Sequence, residues 1–388
     1  MPAFIWVFVV VYCSIYLTSP IIIFFHELGH AIAYLILTKQ NQIDVFIGSY
    51  GDKETKLKFR IGNLFFYIKY GFPLVKYRGQ CQADTFVTNY FKEIAILLAG
   101  SFLSLLIAGI LCLFAFEFEM HGAIKLYVFA LIVWSSASLI INLFPLTFRG
   151  GRDSDGRQIF FATRIKKFYN EYATACNAQL NGDYAAATVN LQHLTAVYPK
   201  EEKILRQLIT ALLLLKNFEE AKNYYAQLKM RFELNANDYI NFGYLNYRAA
   251  EKNLAIDSYK KGLELDPNNL VGLNNLAYQY TLSGEYEQAY ELLNKAIEID
   301  PGYSFSYNNL GYLKILAGHS EEGKSLIEKS IEMHSNNSYA YMHLGVYYLK
   351  IYDKKQAQAN FQKALELDDK VVLENYMQEL ESMPDNIE

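Results

Sequence analysis

The chain has 388 residues and a net charge of −4, too mild a balance to suggest a nucleic-acid binder. That figure hides a division: residues 1–167 carry 16 Lys and Arg against 10 Asp and Glu, and residues 168–388 carry 20 against 30. The mean hydropathy of +0.03 therefore averages a membrane-like front half with a polar, acidic back half. This excludes a single soluble enzyme, a disordered chain and a small secreted scaffold. Cys13, Cys81, Cys112 and Cys176 are scattered with no CxxC spacing, so neither a disulfide framework nor a thiolate zinc site is readable from them.

Three apolar stretches, about residues 4–37, 94–116 and 126–148, predict membrane-spanning helices, since a bilayer core takes about 20 apolar residues per helix. In the first, Glu27 is the one formal charge. That stretch is roughly 50 Å long if helical, too long for one straight crossing, so Ser19-Pro20 marks either a kink in one principal span or a junction of two helices. A signal peptide does not fit, because the basic leading region and the small-residue cleavage site are missing. Loop 39–93 carries nine Lys and Arg, and Arg149, Arg152, Arg157, Arg164, Lys166 and Lys167 follow the last span. The positive-inside rule puts this loop and the back half in the cytoplasm, with the N-terminus outside. The Lys- and Tyr-rich composition suggests a bacterial plasma membrane.

Within the loop, Lys56–Ile61 alternates at the period of a half-buried strand. Gly62-Asn63 supplies a two-residue turn before the aromatic run Leu64–Tyr70. A small cytoplasmic β-hairpin within about residues 43–78 is expected.

His26-Glu27-Leu28-Gly29-His30 is an HExxH pattern, which places two imidazoles one helical turn apart on one face, with a carboxylate beside them to take a proton from water. Inside an apolar run, three ionisable groups in helical register are costly and point to function rather than packing. A polar patch between helices is the bland alternative. Two histidines leave a catalytic zinc one protein ligand short, so a third is expected from another span.

At the end of the third stretch the chain reads Asn142-Leu143-Phe144-Pro145, then Asp153-Ser154-Asp155-Gly156. With the HExxH span and Leu98-Ala99-Gly100-Ser101 in the middle stretch, this arrangement resembles the site-2 protease family of intramembrane zinc metalloproteases, over about residues 20–160. The resemblance implies one Zn2+ held by His26, His30 and Asp155, Glu27 as general base, and Asn142 against substrate or the active-site turn. Two features depart from it: Ser101 stands where proline is usual, and Arg149-Gly150-Gly151-Arg152 lengthens the spacing, which leaves Asp153 as a competing ligand. Gly156 would permit a tight turn aiming Asp155 at the metal. Residues 149–157 are expected at a cytoplasmic entrance, and strand addition to residues 56–70 is a further substrate mode.

From residue 168 to 371 the chain repeats with a period of 34, six times. Position 20 of each unit is small (Ala187, Ala221, Ala255, Ala289, Gly323, Ala357), as a close helix crossing requires. Position 24 is large and apolar (Leu191, Tyr225, Tyr259, Leu293, Ile327, Phe361). The pattern is similar to the tetratricopeptide repeat, a stacked helix–turn–helix unit, and units three, four and six match best. Residues 372–388 are expected to be a capping helix and tail. Asn241, Asn275 and Asn309 form one column and Tyr244, Tyr278 and Tyr312 another, three residues on, which together would line a peptide groove. His193, His319, His334 and His343 show no ligand spacing.

The fold class expected is mostly α: a polytopic transmembrane metalloprotease core with a small hairpin, residues 1–165, then an α-solenoid. The function expected is an intramembrane zinc endopeptidase acting on a membrane-associated protein or peptide precursor, with cytoplasmic repeats that recruit substrate or regulator. The alternative is a non-catalytic, membrane-anchored repeat scaffold on a protease-like anchor.

Overall fold

A computed structural model describes residues 3–49, 57–69, 79–148, 152–368, 371 and 373–383. The chain divides into two compact units, residues 1–217 and 218–388.

The first unit opens with α1 (Ala3–Leu37), one unbroken helix with Pro20 inside it. The Thr18 and Ser19 hydroxyls bond the carbonyls of Ser14 and Ile15 around the proline turn. The helices α2 (Tyr90–Glu117) and α3 (Gly122–Leu143) pack against α1. All three are long and apolar enough to cross a membrane. Their outward faces are apolar as well, with Leu113, Phe114, Phe129 and Ile140 exposed, which suits a lipid surroundings and not water. The third helix ends five residues earlier than expected. Phe144 precedes Pro145 and takes an extended conformation (ψ 138°), because the proline ring disfavours the helical region for the residue before it. The approach of α1 to α2 depends on glycine: a Cβ on Gly29 would strike the Ala99 carbonyl.

Between α1 and α2 the chain forms a sheet of four strands in the order β2-β3-β1-β4. These are β1 (Ile43–Ile47), β2 (Leu57–Ile61), β3 (Leu64–Ile68) and β4 (Gly79–Ala83). The expected hairpin exists as β2–β3, turning at Gly62-Asn63, but it is only half of the sheet. The strand β1 runs parallel to β3 and antiparallel to β4. Every residue of β1 is buried, whereas every residue of β2 is exposed, so the alternation read there as half-buried marks a sheet edge instead. The buried face (Ile43, Val45, Ile47, Leu64, Phe66) packs on α1 around Phe24, Leu28 and Ala31. The expected loop residues 50–56 and 70–78 lie outside the described residues.

After α3 come two short strands, β5 (Thr147–Phe148) and β6 (Arg152–Asp153), paired antiparallel. Residues 149–151 lie outside the described residues. The short helix α4 (Asp155–Arg164) follows.

Helix pairs then recur at the 34-residue period. In the first unit these are α5 (Tyr169–Leu180), α6 (Tyr184–Val197) and α7 (Glu202–Leu214). The second unit holds α8 (Phe218–Arg231), α9 (Ala236–Arg248), α10 (Lys252–Leu265), α11 (Leu270–Leu282) and α12 (Tyr286–Ile299). It continues through α13 (Ser304–Leu316), α14 (Ser320–Met333), α15 (Ser338–Lys350) and α16 (Lys354–Leu367). The sequence period is the packing period. Position 8 of one helix receives position 24 of its partner: a Cβ on Gly243 would meet the Tyr259 ring, one on Gly311 would meet Ile327, and one on Gly345 would meet Phe361. A final helix, α17 (Glu374–Ser382), covers the end of the array with Leu380 and Met383 buried. Residues 384–388 lie outside the described residues.

Candidate metal centre

His26 and His30 lie one turn apart on α1, and Asp155, the first residue of α4, faces both. The Asp155 Oδ2 is 3.3 Å from His26 Nε2 and 3.6 Å from His30 Nε2, and the two Nε2 atoms are 3.1 Å apart. The three donor atoms form a near-equilateral triangle. Zn–N and Zn–O bonds of about 2.0–2.1 Å in a tetrahedron need donor atoms roughly 3.3 Å apart, so the set fits zinc in both chemistry and spacing. His30 Nδ1 donates to the Ile96 carbonyl at 2.7 Å, and because a carbonyl only accepts, Nε2 is left with its lone pair toward the triangle. Asp155 Oδ2 is buried and meets no polar group other than the two imidazoles, as expected of an atom arranged for a cation.

Burial works to raise the pKa of Asp155, but its contacts with His26 and His30 outweigh it and hold the carboxyl well below the usual carboxylate range. Its place at the start of a helix adds to this preference for negative charge. Asp153, the competing candidate, lies elsewhere: its carboxylate takes the Thr147 hydroxyl at 3.0 Å and Lys203 Nζ at 3.3 Å.

Glu27 is buried beside the histidines. Strand β4 passes over it so closely that a Cβ on Gly79 would meet its side chain. Burial, with Glu27 and Asp44 nearby, pushes the Cys81 thiol up. On the other side, Gly100 of α2 leaves no space between its Cα and the His30 ring.

The turn that carries Asp155 is held by Ser154, which the sequence reading passed over. Its hydroxyl donates to the Phe144 carbonyl (2.6 Å) and accepts from the N–H groups of Leu146 and Arg157 (3.1 Å each), joining the end of α3 to the start of α4. A serine immediately before a helix is the signal that would have found it. Asn142, expected against substrate or the active-site turn, donates to Ser138 on its own helix at 3.1 Å. Gly156 serves a close approach and not a turn: a Cβ there would strike the Leu143 carbonyl. Arg157, expected near an entrance, is paired with Glu202 at 3.3 Å.

In the second unit, a cavity of about 220 Å³ is lined by aromatic and carboxamide side chains, among them Tyr244, Asn275, Tyr278 and Asn309 from the expected columns. Asn274, Asn308 and Tyr339 join them, while Asn241 is outside the lining. Tyr312 departs from expectation. It is 2% exposed, stacked on His343 at 3.9 Å, with its hydroxyl 2.7 Å from that of Tyr376, so α17 covers it.

Tetratricopeptide repeat profiles match residues 239–269, 271–303, 292–324 and 338–371. No curated protein matches the chain. Among solved structures, the chain is similar to one from the APC/C hetero-tetramer Cut9-Hcn1 (TM-score 0.48, 10% identity, 77% of this chain and 53% of that one). It thus spans about half the length of that protein. It is also similar to a tetratricopeptide repeat protein from Parabacteroides merdae (TM-score 0.46, 18% identity, 59% and 92%). A third is the tetratricopeptide protein TTC0263 from Thermus thermophilus (TM-score 0.40, 18% identity, 47% and 98%). The C-terminal region of this chain is built of tetratricopeptide repeats.

Proposed function

We propose that the chain is a membrane-embedded zinc endopeptidase of the site-2 protease type, whose repeats recruit a protein or peptide substrate or a regulator. The observation that supports this reading is the convergence of His26, His30 and Asp155 at zinc-ligand spacing, from two elements 125 residues apart in sequence, with a buried carboxylate alongside. Zinc held there would supply a Lewis acid to polarise a scissile carbonyl and activate water. Glu27 takes the proton from the attacking water and returns it to the leaving amine, and the close packing of β4 at Gly79 restricts its carboxylate for both transfers. The buried setting of the cluster limits competing water around these charges. The Tyr- and Asn-lined cavity offers flat contact area and carboxamides for a peptide backbone.

The repeat matches favour a second reading, a non-catalytic membrane-anchored scaffold in which the repeats do the work, because the comparisons speak for the repeats alone. Metal content of the detergent-purified chain separates the two. The protease reading expects one zinc per chain, lost in His26→Ala and Asp155→Ala and kept in Asp153→Ala and Glu27→Gln. It also expects an uncleaved membrane protein to accumulate in a Glu27→Gln strain. A wild-type chain that takes up no zinc when supplied with it supports the scaffold.

A further inference from the structure

Asp155 approaches the histidines from α4, a helix of ten residues. Helices of fewer than about 12–15 residues are marginal alone, so the position of α4 is set by what it packs against. Its N-terminal end is fixed on α3 by Ser154 and Gly156. The rest of it presents a stripe at positions 157, 161 and 164, spaced i, i+4 and i+7, to α5 and the start of α7. Arg157 Nη2 is 3.3 Å from Glu202 Oε1, and Arg164 Nη2 is 2.7 Å from Glu201 Oε1. Phe161, 7% exposed between them, meets the Tyr172 ring edge-on at 5.0 Å and lies under Lys203 Nζ at 4.9 Å. Lys203 also holds Asp153, two residues before the ligand, at 3.3 Å. Three successive residues at the start of α7 thus grip α4 at both ends and the strand β6 leading into it.

Helix α5 reaches the base of α2 and the loop after the sheet. Tyr169 and Lys203 lie close to the Glu93 carboxylate. Asn177 makes two hydrogen bonds to the Phe86 backbone, at 2.7 and 3.0 Å. Arg206 completes the arrangement by holding Glu202 at 2.8 Å.

We infer that Glu201, Glu202 and Lys203 form a clamp that positions the third metal ligand, which makes α5 and α7 a working part of the metal centre and not a tethered module. The inference rests on the reading of that centre as a zinc site. Three half-exposed pairs are each weak alone. Together they act on one short helix whose first residue is a ligand, where small displacements change metal affinity. A partner that moved α7 would therefore change zinc affinity without touching a ligand.

The test measures equilibrium zinc affinity of the full-length protein in detergent, by competition with a chromophoric chelator. Glu201→Arg with Lys203→Asp is expected to weaken binding about tenfold. Adding Arg164→Glu and Asp153→Lys re-forms both pairs with reversed charge and is expected to restore wild-type affinity to within about twofold. Unchanged affinity in the first variant overturns the clamp, and so does a loss that the reversed pairs fail to recover. A wild-type chain that binds no zinc overturns the metal-centre reading itself, and the clamp with it.

Discussion

Gly100 lies against the His30 imidazole with no room for a methyl group between them. The contact links two apolar helices at the level of His26 and His30, and it works only because neither Gly100 nor Gly29 carries a side chain. The tight crossing holds His30 where Ile96 can fix its tautomer, at 2.7 Å. Gly100→Ala should therefore push the ring off the Asp155 triangle. Overpacking of this kind costs about 1–3 kcal/mol. The expected outcome is a helical protein with unchanged circular dichroism and at least a tenfold loss of zinc affinity. Retained affinity would show that the ring is free to move.

Ser154→Ala removes the hydroxyl that satisfies one carbonyl and two N–H groups at the turn before Asp155. Loss of the cap alone costs about 1 kcal/mol, and leaving buried partners unpaired about 1–3 kcal/mol. Hydrogen exchange should report faster opening of α4 with α5 and α6 unchanged, and zinc affinity should fall about tenfold. Ser154→Thr should preserve both.

His343 is fully buried in α15, where its Nδ1 donates to Asn308 Oδ1 at 2.9 Å. Burial pushes its pKa down to about 3 from the ordinary 6.5. The folded state keeps it neutral while the unfolded chain takes up a proton, so stability is fully present above about pH 6.5 and is lost progressively as pH falls toward 3. At pH 5 the loss is about 2 kcal/mol from this group. Denaturant titrations of the repeats at pH 7 and pH 5 should show that difference, and His343→Gln should flatten it while lowering stability at pH 7.

Tyr376→Phe cuts the hydroxyl pair with Tyr312 while keeping the ring that stacks on Phe361 at 6.0 Å. A hydrogen bond of this kind contributes about 1 kcal/mol. Amide exchange in α17 should accelerate several-fold with α13 unaffected. If α13 accelerates equally, α17 is an integral layer of the array and not a cover over Tyr312.

Local periodicity carried much of this protein. The 34-residue period, with small residues at position 20 and large ones at position 24, is visible in the sequence because each repeat packs chiefly on its neighbours, so its contacts recur at fixed spacing. The apolar lengths announced the three long helices, and the HExxH spacing put two imidazoles on one face of a helix, because helical register is a local property. What the chain order concealed depends on contacts between distant segments. The parallel pairing of β1 with β3 and the addition of β4 join runs that look alike one at a time, so a hairpin was all that neighbouring residues could announce. The placing of Asp155, not Asp153, against the histidines follows from the pairing of β5 with β6, from a serine that caps α4 and from a lysine at the start of α7 that takes the other carboxylate. Tyr312 shares its column with two groove residues, and only the docking of α17 buries it. Such choices are made by which surfaces meet, and that is a property of the packed chain and not of any stretch of it.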